Sequence, residues 1–226
     1  MISIFADKTS IILRKMLKDP NNQWVIQDFI KARDKEYGIG QGRVQKTLNE
    51  MERLGYLERE KRGAKSKAVL ANPEMLVKSW INAYRFEYNE TYSYYSQDKN
   101  IIRKICNFFK RQENKYAFTL HTGANLQTSF VKTSDVHLYL KSDNLKKDIL
   151  DLRQNLDLKQ LVHGGNVHIA KPYYKQSVFF NAQTIKGYRA VSNLQLYLDL
   201  YNFQPRGREH AEYLEKLLED KGRYLD

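Results

Sequence analysis

The stretch QGRVQKTLNEMERLGYLEREKRGAKSKAVL, residues 41–70, decides how this chain is read. In its first half Val44, Leu48 and Met51 fall at i, i+4 and i+7, one face of a helix near 41–54. At about 100° per residue the opposite face carries Gly42, Lys46, Asn49 and Arg53, flanked by Gln41, Arg43 and Gln45. Gly55 suits the left-handed residue that closes a helix. Residues 56–59 and 67–70 then alternate as two strands, joined by a hairpin loop over 60–66 that contains Gly63.

Upstream, Asp7 is placed to cap a helix reaching Lys18, with Ile11, Ile12, Leu13 and Met16 on its apolar side. Asp19-Pro20-Asn21-Asn22 is a turn. Trp24 and Val25 suit a very short strand, and a second helix is expected near 26–37. Helix, helix, turn, helix, hairpin is the order of a winged helix-turn-helix. The polar face of the third helix suits the major groove, because Arg and Lys read guanine while Asn and Gln read adenine. Residues 59–67 hold Arg59, Lys61, Arg62, Lys65 and Lys67 against Glu60 alone, a net +4 in the wing, where phosphates are gripped.

Downstream, Asn72-Pro73 opens a helix carrying Leu76, Trp80, Ala83 and Tyr84. Tyr88, Tyr92, Tyr94 and Tyr95 follow, suited to packing at a junction or dimer contact, with base stacking as the other use. Beyond residue 97 come a helix near 99–112, strands near 117–120, 136–140, 161–162, 167–170 and 177–180, and helices near 125–130, 145–154, 193–201 and 208–221. The expected fold is α+β: an N-terminal winged helix-turn-helix over 1–75, a linker helix and Tyr-rich junction over 76–96, and a mixed α/β domain over 97–226.

Composition agrees with a polyanionic partner. The 226 residues carry 38 Lys and Arg against 26 Asp and Glu, a net +12. The excess is no basic tail: 17 basic face 11 acidic residues up to residue 88, and 21 face 15 beyond it. No apolar run approaches the ~18 residues of a membrane span, and no signal peptide is read. The single Cys106 leaves no intramolecular disulfide and suits a reducing cytoplasm.

Catalytic patterns are incomplete. Thr122-Gly123-Ala124 followed by Asp135-Val136-His137 resembles the layout of nucleotidyl transfer, a Gly turn before paired carboxylates holding Mg²⁺. His137 stands where the second carboxylate belongs. Asp135 with Asp157-Leu158-Lys159 fits the letters of a Mg²⁺ nuclease. His121, His137, His163, His168 and His210 lack metal-site spacing. No cofactor is expected.

A longer run carries more. Gly164-Gly165-Asn166-Val167-His168-Ile169, Lys171-Pro172-Tyr173, Val178-Phe179-Phe180 and Lys186-Gly187-Tyr188 are followed by Val191-Ser192-Asn193-Leu194-Gln195-Leu196-Tyr197-Leu198-Asp199-Leu200. Pro205-Arg206-Gly207-Arg208-Glu209 and Ala211 close it. This resembles the C-terminal domain of AbiEi-type antitoxins of type IV toxin–antitoxin systems, strongly over about 160–218 and more loosely over 85–160. The resemblance implies a winged-helix repressor of its own operon, bound to inverted repeats in double-stranded DNA as a homodimer or paired copies. It also implies a nucleotidyltransferase toxin opposed without direct contact, and no catalysis. A Mg²⁺-dependent nucleic-acid enzyme and a plasmid-replication winged-helix protein are the alternatives.

Overall fold

The computed structural model describes residues 3–31, 35–60, 66–222 and 224–225. Helix α1 (Asp7–Lys18) packs on α2 (Gln41–Arg53), which leads into the antiparallel hairpin β1 (Leu57–Glu60) and β2 (Lys67–Leu70). Gly55, at φ 75°, makes the left-handed turn out of α2. Trp24 bridges Ala68, adding a one-residue strand to the hairpin. Where a helix is expected over 26–37, Ile26–Asp28 forms a 3₁₀ turn and Ile30 bridges Ile39. The apolar residues Phe29, Ile30 and Tyr37 keep helical spacing, yet each reaches the core from irregular backbone. Asp7 does not cap α1. Ala6 holds that position, and the Asp7 carboxylate accepts from Ser177 N–H at 2.9 Å and Gln176 N–H at 3.2 Å.

The rest of the chain is built on a six-stranded mixed sheet. Its strands are β3 (Glu90–Tyr94), β4 (Tyr116–Phe118), β5 (Val136–Leu140), β6 (Val167–Lys171), β7 (Gln183–Ile185) and β8 (Tyr188–Ala190), in the order β3-β6-β5-β4-β8-β7. Helices α3 (Pro73–Ala83), α4 (Ile101–Phe108), α5 (Leu120–Asn125), α6 (Leu145–Asn155), α7 (Asn193–Tyr201) and α8 (Gly207–Glu219) surround it. Side chains alternate across the pleat. Val136, Leu138, Leu140, Val167 and Ile169 face α4 and α6. Tyr139, Ala170 and Ala117 join the other cluster, which contains α7 and α8 residues. With both faces covered, all five β5 residues are buried.

Several expected elements shift. The tyrosine-rich junction contains strand β3, because Thr91, Tyr92 and Tyr94 favour a pleated edge. Tyr84 and Tyr94 are buried there while Tyr88 is exposed. Residues 161–162 are an exposed loop, 177–179 form a 3₁₀ turn, and the helix expected at 125–130 lies earlier, at α5. Gly123 explains that placement: a Cβ there would meet Phe118 O at 2.8 Å and Leu196 Cδ2 at 2.7 Å. Only a bare Cα lets α5 cross this close to β4 and α7. Gly123→Ala is therefore expected to cost about 1–3 kcal/mol, read as a lower urea midpoint at unchanged slope.

The larger apolar cluster is continuous from α1 through α3 to α7 and α8. Its polar centre is also shared. Arg14 of α1 is fully buried, donates from Nη2 to Gln195 Oε1 at 2.5 Å, and stacks over Trp80 at 5.0 Å. Gln195 Nε2 donates in turn to Asp199 at 2.7 Å. Asp199 also accepts from the hydroxyls of Tyr84 at 2.8 Å, Tyr139 at 2.9 Å, and Thr119. Two opposite charges are thus joined through one amide inside the core. Burial raises the Asp199 pKa to about 6, against the lowering by its four donors.

Candidate nucleic-acid interface

Helix α2 turns Val44, Thr47, Leu48 and Met51 inward and leaves Gln41, Gly42, Arg43, Gln45, Lys46, Asn49 and Arg53 exposed. The hydroxyl of Thr47 is satisfied within the helix by Arg43 O at 2.8 Å, so its burial carries no penalty. The outward residues differ in their commitments. Among the described residues, no ion pair or hydrogen bond engages the side chains of Arg43, Gln45 or Lys46. Arg53 is tied to Glu50 by two bonds, of 2.9 and 2.7 Å, which hold the Glu50 carboxyl below and the Arg53 guanidinium above their ordinary pKa values.

The hairpin sits beside this face. Arg59 on β1 donates to Asn49 Oδ1 on α2 and lies 3.3 Å from Glu52, fastening the hairpin to the helix. Lys67 on β2 donates to Gln23 at 2.7 Å. Lys61, Arg62 and Lys65, expected at the wing, lie outside the described residues. The amphipathic spacing and the turn glycine are enough to anticipate this neighbourhood. They do not reveal that Asn49, Arg53 and Arg59 have protein partners.

A second group of cations has no signature in the sequence. Lys8 of α1, Lys31 and Lys35 of the irregular segment, and Arg43 of α2 line one cleft of about 490 Å³ at the start of α2, with Gln176 on its rim. All four cations are exposed, and Glu36 is the one carboxylate among the lining residues. Gly40 and Gly42 leave that helix start open, with nothing within 4 Å of a hypothetical Cβ at either. These residues come from three separated segments, so no local pattern announces them.

The second part of the chain holds four of the five histidines in two ring stacks. His121 of α5 and His210 of α8 lie 9° from parallel, with Nδ1 to Nδ1 at 2.8 Å. His137 of β5 and His168 of β6 stack at 4.4 Å between centroids. Phe203 touches His121 and His137 edge-on. Among the described residues, no group of three or more His, Cys, Asp or Glu side chains is placed to hold a metal ion. Asp135 and Asp157 do not converge into such a group. Nor is any described helix long and apolar enough to cross a membrane.

A helix with an exposed basic face and a hairpin precede the α/β body, and comparison with known families gives the class of protein. Residues 69–220 match the family model described as transcriptional regulator, AbiEi antitoxin, type IV toxin–antitoxin system. The chain belongs to this AbiEi antitoxin family. The match takes in the looser region before residue 160 as well as the run that follows it, and it begins after α2. No curated protein and no solved structure matches significantly.

Proposed function

We propose that this antitoxin-family regulator binds double-stranded DNA through the outward face of α2 and represses its own promoter. In this reading α1, the segment over 24–31, α2 and the β1–β2 hairpin act as a winged helix-turn-helix. Residues 1–75 bind DNA, 76–96 connect, and 97–226 form the antitoxin part. The carrying observation is the uncommitted row of Arg43, Gln45 and Lys46 on a helix whose other face is locked into the core. Their donors need no internal partner to be broken before they meet base edges or phosphates.

Residue roles follow from the commitments. Gln41, Gly42, Arg43, Gln45 and Lys46 approach the groove, and Gly42 permits close backbone approach. Asn49 and Arg53 flank it, and Arg59 sets the angle of the wing through Asn49. Lys67 on β2, together with Lys61, Arg62 and Lys65 of the sequence between the strands, grips the backbone. Lys8, Lys31 and Lys35 hold the phosphates beside the start of α2. Two copies on inverted repeats satisfy the two-fold symmetry of such operators. The toxin is opposed without contact, and the role requires no catalysis or cofactor and places the protein in the cytoplasm.

The test is a binding titration on the chain's own promoter region across salt concentrations. Arg43→Ala combined with Lys46→Ala is expected to weaken binding at least tenfold. It should also flatten the slope of log K against log salt by about 0.9 for each phosphate that is no longer neutralised. Unchanged affinity and slope would remove α2 from the interface. Weakening confined to one operator sequence would assign these residues to base reading rather than phosphate neutralisation.

A further inference from the structure

The Gly123 turn, α5 and the head of β5 enclose a cleft of about 600 Å³ that the regulatory reading leaves unused. Its size is that of an ordinary small-molecule site, ~300–1,000 Å³. Ile101 and Val136, both buried, and Ile102 and Leu126, partly buried, make an apolar floor. Its walls are fixed by internal bonds. Asn166 clamps Ser96 from both sides, accepting from Ser96 N–H at 2.8 Å and donating to Ser96 O at 2.9 Å. Asn125 holds Val131 in the same manner, at 2.6 and 3.2 Å. Thr122 Oγ1 accepts from His137 N–H at 2.9 Å and donates to Asp135 O at 3.1 Å, tying the α5 turn to the start of β5.

With those groups committed, five polar side chains lining the cleft make no hydrogen bond or ion pair among the described residues: the Tyr95 and Ser134 hydroxyls, the Gln97 amide, the Lys99 ammonium and the Asp135 carboxylate. One cation and one anion therefore stand over an apolar floor. That combination fits a flat heterocycle carrying a single anionic group and several hydroxyl or amino donors.

The position within the fold narrows the chemistry. The order of a strand, a Gly turn, a short helix and a second strand headed by Asp135 resembles, in sequence, the layout in which nucleotidyl-transfer enzymes hold their nucleotide. The second carboxylate of that layout is replaced by His137, which is buried and stacked on His168. A triphosphate would bring about four negative charges to Lys99, facing Asp135 and also Asp98, whose carboxylate is already paired with Lys104. A monophosphate brings no more than two.

We propose that this cleft binds a nucleoside monophosphate, with the base on the Ile101, Ile102 and Leu126 floor, the phosphate on Lys99, and sugar hydroxyls or an exocyclic amine on Asp135. The site is independent of the operator face. Its free ligand and the terminal nucleotide of an RNA share this chemistry.

The experiment is calorimetric titration of the full chain, with saturation-transfer NMR as a second readout. It uses the four ribonucleoside 5′-monophosphates, the matching triphosphates with and without Mg²⁺, short RNAs ending in the preferred nucleotide, and free amino acids as zwitterionic controls. Saturable binding of at least one monophosphate is expected. It should weaken about tenfold in Lys99→Ala and in Asp135→Asn, and the matching triphosphate should bind about tenfold more weakly. Tighter binding by the RNA than by the free monophosphate would identify an RNA end as the source. Lys99 and Asp135 are both exposed, so neither substitution disturbs the core. No saturable binding by any monophosphate, equal affinity in both variants, preference for the triphosphate, or preference for amino acids would each overturn the assignment.

Discussion

Replacing Asp199 by alanine is expected to destabilise the whole chain by about 3–5 kcal/mol, among the largest effects a single substitution here can have. Asp199 is fully buried and gathers four side-chain donors, from Thr119, Tyr84, Tyr139 and Gln195. Its removal leaves those donors in a site that water does not reach, and each unsatisfied buried group costs about 1–3 kcal/mol. It also takes away the anion that Arg14 senses through Gln195. Arg14→Ala should therefore be severe as well, because it empties the space against Trp80 and Tyr174 while leaving Asp199 charged. The two losses are expected to be less than additive in a double-mutant cycle, since each variant already unbalances the same charge pair. Urea unfolding supplies the measurement. A loss below about 1 kcal/mol for Asp199→Ala would show that the buried carboxylate is not the centre of the core.

This network also bears on how the regulator works as a unit. Arg14 sits on α1, one helix away from the proposed DNA face, whereas Gln195 and Asp199 sit on α7. Asp7 at the start of α1 holds the backbone of Gln176 and Ser177, and Ser10 bonds Ser177 side chain to side chain at 2.8 Å. The α1–α2 layer is thus anchored to α7 and the turn at 176–177 by charge, amide and hydroxyl contacts as well as by apolar packing. Any change in the orientation of α1 must break several of them together. The proposed DNA face of α2 is thus carried on a layer that shares its core with α3, α7 and α8.

The legible parts of the sequence are those with a strong local period. Helices α1 and α2, the hairpin and α7 can be foreseen because apolar spacing and turn residues act over a few positions. Ser192 is legible as the cap of α7, and it accepts from Gln195 N–H at 3.2 Å. Arg206 stands three residues before Glu209, within ion-pair reach on a helix, and the two lie 2.9 Å apart. What is not legible depends on distant partners. Strand β3 exists because β6 lies beside it, and β7 and β8 are three residues each. The cleft cations Lys8, Lys31 and Lys35 converge only in the folded chain. In sequence Asp199 is one more polar residue on a helix, and nothing near it reveals that Arg14, 185 positions earlier, shares its charge.

Acidification from pH 7 to pH 4 should remove about 3 kcal/mol of stability, and the two histidine stacks are the cause. Burial is the main cause in every case. It pushes His137 down to about 3, with His168 and His121 adding to it, and His210 down to about 4, with His121 and Arg206 adding to it. His121 and His168 are lowered as well, each partly restrained by the Asp135 carboxylate. The hydrogen bonds explain why the neutral forms are required. Pro205 O can only accept, so His121 Nε2 carries its proton and His121 Nδ1 accepts from His210 Nδ1–H. His210 Nε2 is then left to accept from Thr128 Oγ1 at 2.7 Å, which turns the hydroxyl proton away from Ala124 O at 3.0 Å. An additional proton on either ring breaks this one-way chain. His137 has no partner for Nδ1 among the described residues, and an extra charge there would face the His168 ring. An unfolded histidine titrates near 6.5, so between that value and the folded pKa the unfolded chain binds more protons, and stability falls as pH falls. His137 and His210 together account for a loss on the order of 5 kcal/mol by pH 4. Asp199 works in the opposite sense: its folded pKa of about 6 exceeds the unfolded value, so protonation restores about 2 kcal/mol over the same range. The histidine contribution is the larger, and the urea midpoint should drop steadily below pH 6.5. His137→Phe keeps an aromatic ring against His168, Phe86 and Phe203 while deleting the titration, and should remove about half of the histidine contribution, which is most of the net pH dependence. His210→Gln gives an independent measure of the other stack. A flat profile in the parent chain, or an unchanged slope in both variants, would place the acid sensitivity elsewhere.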